Sequence, residues 1–409
     1  MSEGPGAILR GLLLVLNKMF SREYFGIVGD QAWRERERAR KRREYTLQAV
    51  LVFLLILILS AATMNVADNL AARHIHSGFA FLSGPAGFDI GEALIPFTST
   101  DHMGRAFVVG ILNTIKVSVW AILASTVLGV VVGLMRLSRH PMLKFLGAAH
   151  VEVYRNIPLL VLLLAVYLVV TELLPAGRSA LHIGNWIYLS KAGLQYASPV
   201  WGWAATTGSV VAAAVAAFVT GKIARRYMTG LLANCTALVV FCVSFVALWI
   251  ICGAVGGWEH PVQTRFALRG GSQLSPEFLA LFLGLTLFTS AAIAEIVRAG
   301  VLAVRPEQWN AGLALGLTMS ETVSYVIFPQ SMRLAIPPLA SQYMNLTKNS
   351  SLAVMVGYPD LVNIGNTAIN VSAQALEVIC IIMSVYLVLN LIISVIMNRI
   401  NARIMRAPQ

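Results

Sequence analysis

The sequence predicts an all-α integral membrane protein with about eight transmembrane helices. Three observations carry that expectation. Of its 409 residues 57% are apolar and only 12% charged, where a soluble domain carries about 25% charged residues. The mean hydropathy is +0.73, which leaves too little polar surface to coat a water-soluble particle. The apolar residues also run in long blocks, not at amphipathic spacing, and basic residues gather at the ends of those blocks.

In chain order, residues 1–45 read as a cytoplasmic segment. A short apolar patch at 7–16 contains Arg10 and lacks a small-residue cleavage site, so no cleavable signal is expected. The basic run from Arg34 to Arg43 then precedes the first block, Leu47 to Met64. Further blocks run Phe107–Met135, Pro158–Leu174, Trp203–Thr220, Leu231–Val255, Phe278–Val297 and Leu376–Met397. Each suits a helix that rises about 1.5 Å per residue through a hydrocarbon core of about 30 Å. An eighth candidate, Leu334 to Gly357, differs in holding Gln342, Asn345, Thr347, Lys348, Asn349, Ser350 and Ser351.

The basic clusters orient these spans. Arg136, Arg139 and Lys144, then Lys222, Arg225 and Arg226, then Arg298 and Arg305, then Arg399, Arg403 and Arg406 follow alternate spans. One assignment puts all of them inside, with both termini cytoplasmic and residues 65–105 outside. Residues 175–202 and 256–277, rich in Gly, Pro and Trp, fall outside and bracket the fourth and fifth spans. Those two spans read as a helical hairpin inserted into a simpler core. Its small residues Ala204, Ala205, Gly208, Ala212, Ala213 and Ala214 suit either close helix packing or lipid-facing filler.

The net charge of +12 would suit a nucleic-acid partner, but its placement at span ends argues for membrane topology and no nucleic acid. Cys235, Cys242, Cys252 and Cys380 all lie in apolar stretches, read as small buried hydrophobes, and form no CxxC pair. His74, His76 and His102 are scattered without ligand spacing, so no metal is assigned. Lys116 sits in the outer half of its span, where it is expected to snorkel.

Two segments carry mechanism. Gln308 to Leu317 is followed by Tyr325, Phe328, Pro329 and Gln330. Small residues at 311, 312 and 314 suit a docked helix, Gly316 permits a left-handed turn at its end, and Pro329 interrupts or restarts a second helical piece. This reads as a partner's handle or as a plain connector. Elsewhere, Glu295 and Arg298 are three apart on one helical face, as a structural ion pair or part of a substrate path. Gln342, Asn345 and Asn349, spaced three and four apart beside Lys348, form a polar stripe that lines a pathway or marks a broken helix packed inside the bundle.

The loop resembles the signature loop of ABC importer permeases: Glu-Ala-Ala, three residues, Gly, then a stretch ending in Pro. Asn310 stands at the Glu, Ala311 and Gly312 at the two Ala positions, Gly316 at the Gly and Pro329 at the Pro. Asn310 and Gly312 depart from the pattern. Further segments are similar to the polar amino-acid branch: Gly110–Thr114, Val153–Leu160, Ala294-Glu295-Ile296 with Arg298, Phe328–Arg333, Ile336-Pro337-Pro338 and Leu346–Leu352. The extra N-terminal helix, the external Ala86–Gly91 segment and the inserted hairpin resemble the larger general L-amino-acid permeases.

The resemblance implies a type I importer core over 105–397, with the inserted hairpin at about 175–277 and a coupling loop at about 299–333. An extra helix and external segment would occupy 46–104, and a cytoplasmic tail 398–409. It implies an ATPase-coupling role for Asn310, Ala311, Gly312, Leu315, Gly316 and Pro329. The possible substrate path comprises Glu295, Arg298, Gln342, Asn345, Lys348 and Asn349. Implied partners are a second homologous permease, a cytoplasmic ATPase dimer, an external solute-binding protein and an L-amino-acid substrate of broad or polar and acidic type. All would sit at the inner membrane of a bacterium. The chain lacks a GxxxxGK[ST] loop, so it is expected to be non-catalytic, without cofactor, and to leave ATP hydrolysis to a partner. An ion-coupled secondary transporter is the alternative, although no internal repeat supports it.

Overall fold

The computed structural model describes residues 22–72, 78–224, 230–263 and 268–405. The apolar patch at 7–16, His74, His76, Arg225, Arg226 and Arg406 lie outside them, as do the side chains of Ala204 and Cys235. The chain divides into two units, residues 1–77 and 78–409.

Among its described residues the first unit contains one helix, α1 (Arg22–Ala72). Its apolar stretch, Glu37–Asn65, is long enough to span a membrane. Leu51, Phe53 and Ile58 are all more than half exposed, as expected of a helix whose solvent is lipid. On the basic segment before them, Arg40 pairs with Glu44 at 2.9 Å and Lys41 with Glu37 at 3.5 Å.

The second unit begins with a strap of mostly irregular chain. A short 3₁₀ turn at Phe79–Ser83 leads to backbone bonds from Ala86 to Asp101 and from Gly87 to Ser99. Phe81, Phe88, Ile90 and Phe97 pack with Phe107, Ile364 and Val378. The strap is therefore anchored in an apolar core that it shares with helices later in the chain.

Then come α2 (Met103–Leu137), α3 (Pro141–Asn156) and α4 (Leu159–Leu168), the last extended by a π turn over Val169–Leu173. The hairpin helices are α5 (Gly202–Ala224) and α6 (Gly230–Gly256). α7 (Pro276–Leu302) precedes the short α8 (Pro306–Ala314) and α9 (Met319–Glu321). A second π turn, Thr322–Ile327, runs into α10 (Phe328–Asn349). The chain closes with α11 (Leu361–Ser372) and α12 (Ala375–Met405).

α7 is the centre of the unit, and small residues bring its neighbours close. A Cβ added at Gly129 of α2 would lie 2.6 Å from the Ile293 side chain, and one at Gly284 of α7 would lie 2.5 Å from Leu163 of α4. Val117, Leu163, Leu281, Leu285 and Leu346 form one buried cluster drawn from α2, α4, α7 and α10. Helices at such separations gain dispersion contacts along their whole length, which is how helices associate where lipid removes the hydrophobic drive.

The span count needs refinement. Among the described residues six helices are long and apolar enough to cross a membrane, and α3 with α4 makes a seventh if that pair, bent by 104°, is one span. The expected block Pro158–Leu174 holds only α4 and its π turn, too short alone for a hydrocarbon core of about 30 Å. It is completed by α3, a helix that the hydropathy blocks did not distinguish. α10, the eighth candidate, is helical, but its polar residues and the internal Pro337 and Pro338 keep it from qualifying on apolarity.

In the hairpin both readings of the small residues hold, on different faces. Ala205, Ser209 and Ala213, four apart, are buried, whereas Gly208, Ala212 and Ala214 face outward. The irregular segments flanking the hairpin are built largely of short strands, an addition to the mainly helical architecture. β1 (Leu181–Ile183), β2 (Ile187–Ser190), β3 (Gly193–Tyr196) and β4 (Ser272–Leu274) form an antiparallel sheet in the order β1-β2-β3-β4. Tyr196 faces Ile187 on one side and Ser272 on the other. Trp186, Trp249 and Trp258 stack edge to face beside it, with centroids 4.9 and 5.1 Å apart. Two cysteines depart from the buried reading: Cys242 and Cys380 are exposed, because an apolar side chain on a span is as well solvated by lipid as by protein.

Candidate functional site

The loop from α8 to α10 is a rigid projection. α8 begins with Pro306 in its first turn, where the missing N–H costs nothing. It ends in a Schellman motif: Leu317 N donates to Gly312 O at 3.2 Å and Gly316 N to Leu313 O at 3.0 Å. Gly316 takes φ +81° with open space around it, a conformation that strongly favours glycine. Thr318 then caps α9 through a capping box with Glu321. The bonds from Thr318 hold the Glu321 carboxyl below its usual range. Gln330 reaches back to Gln308 at 3.2 Å.

The departure at Gly312 has a steric cause. A Cβ there would lie 2.6 Å from Thr322 Cγ2 and 2.9 Å from its Oγ1. Thr322 is fully buried under α8 and fills the volume that an alanine methyl would need. Asn310, Ala311, Leu313, Leu315 and Gly316 stay exposed, and Pro329 is half-buried in the first turn of α10. Leu315 is 82% exposed at the tip, with Met319 and Tyr325 more than half exposed nearby.

The polar stripe of α10 turns away from the core of its own chain. Tyr343, Leu346 and Thr347 point inward, Tyr343 bonding Thr126 of α2 at 2.9 Å. Ser341, Asn345 and Lys348 are exposed, and Gln342 and Asn349 are partly so.

Glu295 and Arg298 do pair, at 3.1 Å, but as part of a larger hub. The same carboxylate takes Arg136 Nη1 of α2 and lies 3.6 Å from Arg155 of α3. One acid thus ties three helices together and is outnumbered by arginine. Glu295 and Arg136 are mostly buried, whereas Arg155 is 56% exposed. The hub and the α10 stripe share no bond among the described residues. The sequence-derived path residues therefore fall into two groups: Glu295 with Arg298, and Gln342, Asn345, Lys348 and Asn349.

At the opposite end of α2 a polar latch escaped sequence reasoning. Lys116 does not snorkel; its Nζ lies 2.5 Å from Glu92 of the strap and 4.5 Å from the centroid of the Phe278 ring. Ser275, the N-cap of α7, donates to the other Glu92 oxygen. Asn113 donates to Glu92 O at 2.8 Å and to Pro359 O at 2.9 Å. Below it, the fully buried Asp360 caps α11 by accepting from Asn363 N at 2.9 Å, and Tyr386 Oη donates to it at 3.4 Å. Asp360 sits in the connection between α10 and α12, outside the apolar spans, and burial pushes its carboxyl up to about 7. The only sequence signals for these groups were isolated polar residues beside apolar blocks.

The chain matches the model of the family described as "Binding-protein-dependent transport system inner membrane component" over residues 208–406. It is 40% identical over 369 residues to the general L-amino acid transport system permease protein AapQ of Rhizobium johnstonii, covering 89% of this chain and 92% of that one. It is 34% identical to the glutamate/glutamine/aspartate/asparagine transport system permease protein BztB of Rhodobacter capsulatus, covering 88% and 93%. It is also 26% identical to the glutamate/aspartate import permease protein GltJ of Escherichia coli, covering 76% and 91%.

Proposed function

This chain belongs to the inner-membrane components of binding-protein-dependent transport systems, as an amino-acid ABC transporter permease, and from that premise we propose that its α8–α9 projection is the handle by which an ATPase drives it. The exposure of Leu315 carries this reading. A leucine 82% exposed on a turn outside the lipid needs another surface, and contiguous exposed apolar side chains mark such contacts. Leu313 and Met319 extend the patch. The Schellman turn and the capping box present it rigidly, so a push from below is transmitted through α8 to Thr322 and into α10 and is not absorbed by a flexible loop. Family membership sets aside coupling to an ion gradient.

The finer assignments follow. Basic clusters at alternate span ends support cytoplasmic termini, which puts the α8–α9 projection on the side where ATP is available. The exposed face of α10 cannot face lipid: Asn345 and Lys348 there would cost about 2.5–3.5 kcal/mol for the charged group alone. It faces a water-filled path or a second permease subunit, and a pathway at the interface of two homologous permeases satisfies both. The Glu295 hub acts as a brace between helices, with Arg155, the most exposed of its three arginines, as the group best placed to meet a substrate carboxylate. The cargo is an L-amino acid of broad or polar and acidic type, in keeping with relatives named for general L-amino acid and for glutamate, glutamine, aspartate and asparagine transport. An external solute-binding protein would deliver it to the strap side.

The test is amino-acid uptake by membranes carrying Gly316→Asp, with co-purification of the ATPase and permease abundance measured in parallel. An aspartate at φ +81° strains the turn and sets a charge beside Leu315. Uptake and ATPase recovery are expected to fall at least about tenfold, the factor that corresponds to 1.4 kcal/mol, with abundance retained. Leu315→Ala, which removes apolar contact but no backbone freedom, should lower ATPase recovery as well. Normal uptake by both variants at normal abundance would sink the coupling role.

A further inference from the structure

The inserted hairpin holds a cavity that no transport step described above uses. It is about 640 Å³, opens between α5 and α6, and is lined by Ala214, Ala217, Phe218, Gly221, Lys222, Ala237 and Phe241. Small side chains make the hollow and two phenylalanines wall it. The helices meet at its base, where a Cβ on Gly221 would lie 3.1 Å from that of Ala237. Every lining group is apolar except Lys222.

That lysine stands at one end of the groove, is exposed, and has no carboxylate partner among the described residues. Between Glu172 and Glu259 the sequence contains no Asp or Glu, while Arg225 and Arg226 follow Lys222 after Ile223 and Ala224. Positive charge at this end of the hairpin therefore has no acidic partner in its own segment. α5 and α6 are both long and apolar enough to span a membrane, so the medium around the groove is lipid.

We infer that the α5–α6 groove is a binding site for an anionic phospholipid, one acyl chain lying between Phe218 and Phe241 and the headgroup phosphate on Lys222. The chemistry is specific on both counts. An apolar slot of this size suits a hydrocarbon chain, since ligand cavities run from about 300 to 1,000 Å³. A basic group at the cytoplasmic mouth of an interhelical pocket selects a negative headgroup over a zwitterionic one. A free fatty acid shares the tail but lacks the phosphate. A partner helix would fill the slot without need of Lys222.

The assembled transporter, delipidated in mild detergent, is offered vesicles of equal phosphatidylglycerol and phosphatidylethanolamine. The phospholipid it keeps after repurification is then quantified by class. The expected result is retention of phosphatidylglycerol over phosphatidylethanolamine. Lys222→Gln should reduce retention about fivefold, the factor one basic residue near an anionic surface is worth, and Lys222→Arg should restore it. Ala217→Leu, which puts bulk into the slot, should reduce retention of the lipid with Lys222 intact. Because Lys222 is exposed, its two variants decide the matter even if Ala217→Leu fails to assemble. Equal retention of the two lipids, or retention unchanged in Lys222→Gln, would overturn the assignment. So would a crosslink from Ala217→Cys to a partner subunit in place of lipid.

Discussion

The core around α7 and the inserted hairpin are both made of apolar helices, yet they use lipid differently. More than half of the most apolar stretch of α7 is buried in protein, against 6% for α6. Because the core has protein walls, it can hold polar chemistry: the Glu295 hub, the Glu92 latch and the buried Asp360 all sit where several elements converge. The hairpin has two helices and no third wall. Its two helices meet along a seam of small residues, and its exposed lysine meets lipid or nothing. Polar function inside a membrane requires enclosure, and enclosure requires helices brought close by glycine.

Asp360 offers the sharpest test of that contrast. Burial raises its carboxyl from the ordinary value near 3.9 to about 7. Between those values the folded state holds a proton that the unfolded chain has released. Stability contributed by the protonated acid is then complete below about pH 4 and declines as pH rises towards 7, by up to about 1.4 kcal/mol per pH unit. A thermal midpoint measured across pH 4 to 8 should fall over that window and level off above it. Asp360→Asn keeps a cap for α11 but cannot ionise, so its profile should be flatter and its midpoint at pH 8 higher. A wild-type profile that is flat or rises through this range would show that the core solvates its acid after all.

Glu295→Ala probes the brace. Removing the only acid leaves Arg136, Arg155 and Arg298 facing one another, and losing one partner of a fully buried pair costs about 3–5 kcal/mol. Because Arg155 and Arg298 retain some exposure, a loss of about 2–3 kcal/mol is expected. Adding Arg136→Met should recover part of it. If the double variant is no more stable than the single one, the two residues are not coupled and the brace does not exist.

A pair of glycines gives the smallest and most direct comparison. Gly129→Ala places a methyl 2.6 Å from Ile293 and 2.9 Å from Ser290 O, an overpacking that costs about 1–3 kcal/mol. Gly208→Ala, in the hairpin, meets nothing within 4 Å. It should be neutral or stabilising by about 0.5–1 kcal/mol through helix propensity. Equal responses in a thermal-shift assay would erase the distinction between the two regions.

Several features were legible without coordinates because they are local. A span is a run of apolar residues, so the blocks ending at Met135 and Val255 announced helices whose bounds differ by only a few residues, and the block ending at Met397 announced one that runs on to Met405. The turn at Gly316 was equally local: one glycine after a short helix, with its conformation set by its own backbone. Asn345 and Asn349 declared a polar stripe by spacing alone.

Other features were decided by contacts between residues far apart in the chain. Arg136 is separated from Glu295 by 159 positions and reads in isolation as a marker of topology. Nothing near Gly312 reveals that Thr322 occupies the space a methyl would take. Lys116 looks like a snorkelling lysine until the strap folds back and sets Glu92 against it. The four-stranded sheet also depends on joining β3 to β4 across the whole hairpin, a pairing no local propensity encodes. Hydropathy and backbone preference add up residue by residue along the chain, so the sequence by itself determined the long apolar helices, their lipid environment and the turn. Ion pairs, steric fits and strand partners exist only where packing brings distant side chains within a few ångströms, and those the tertiary structure alone decided.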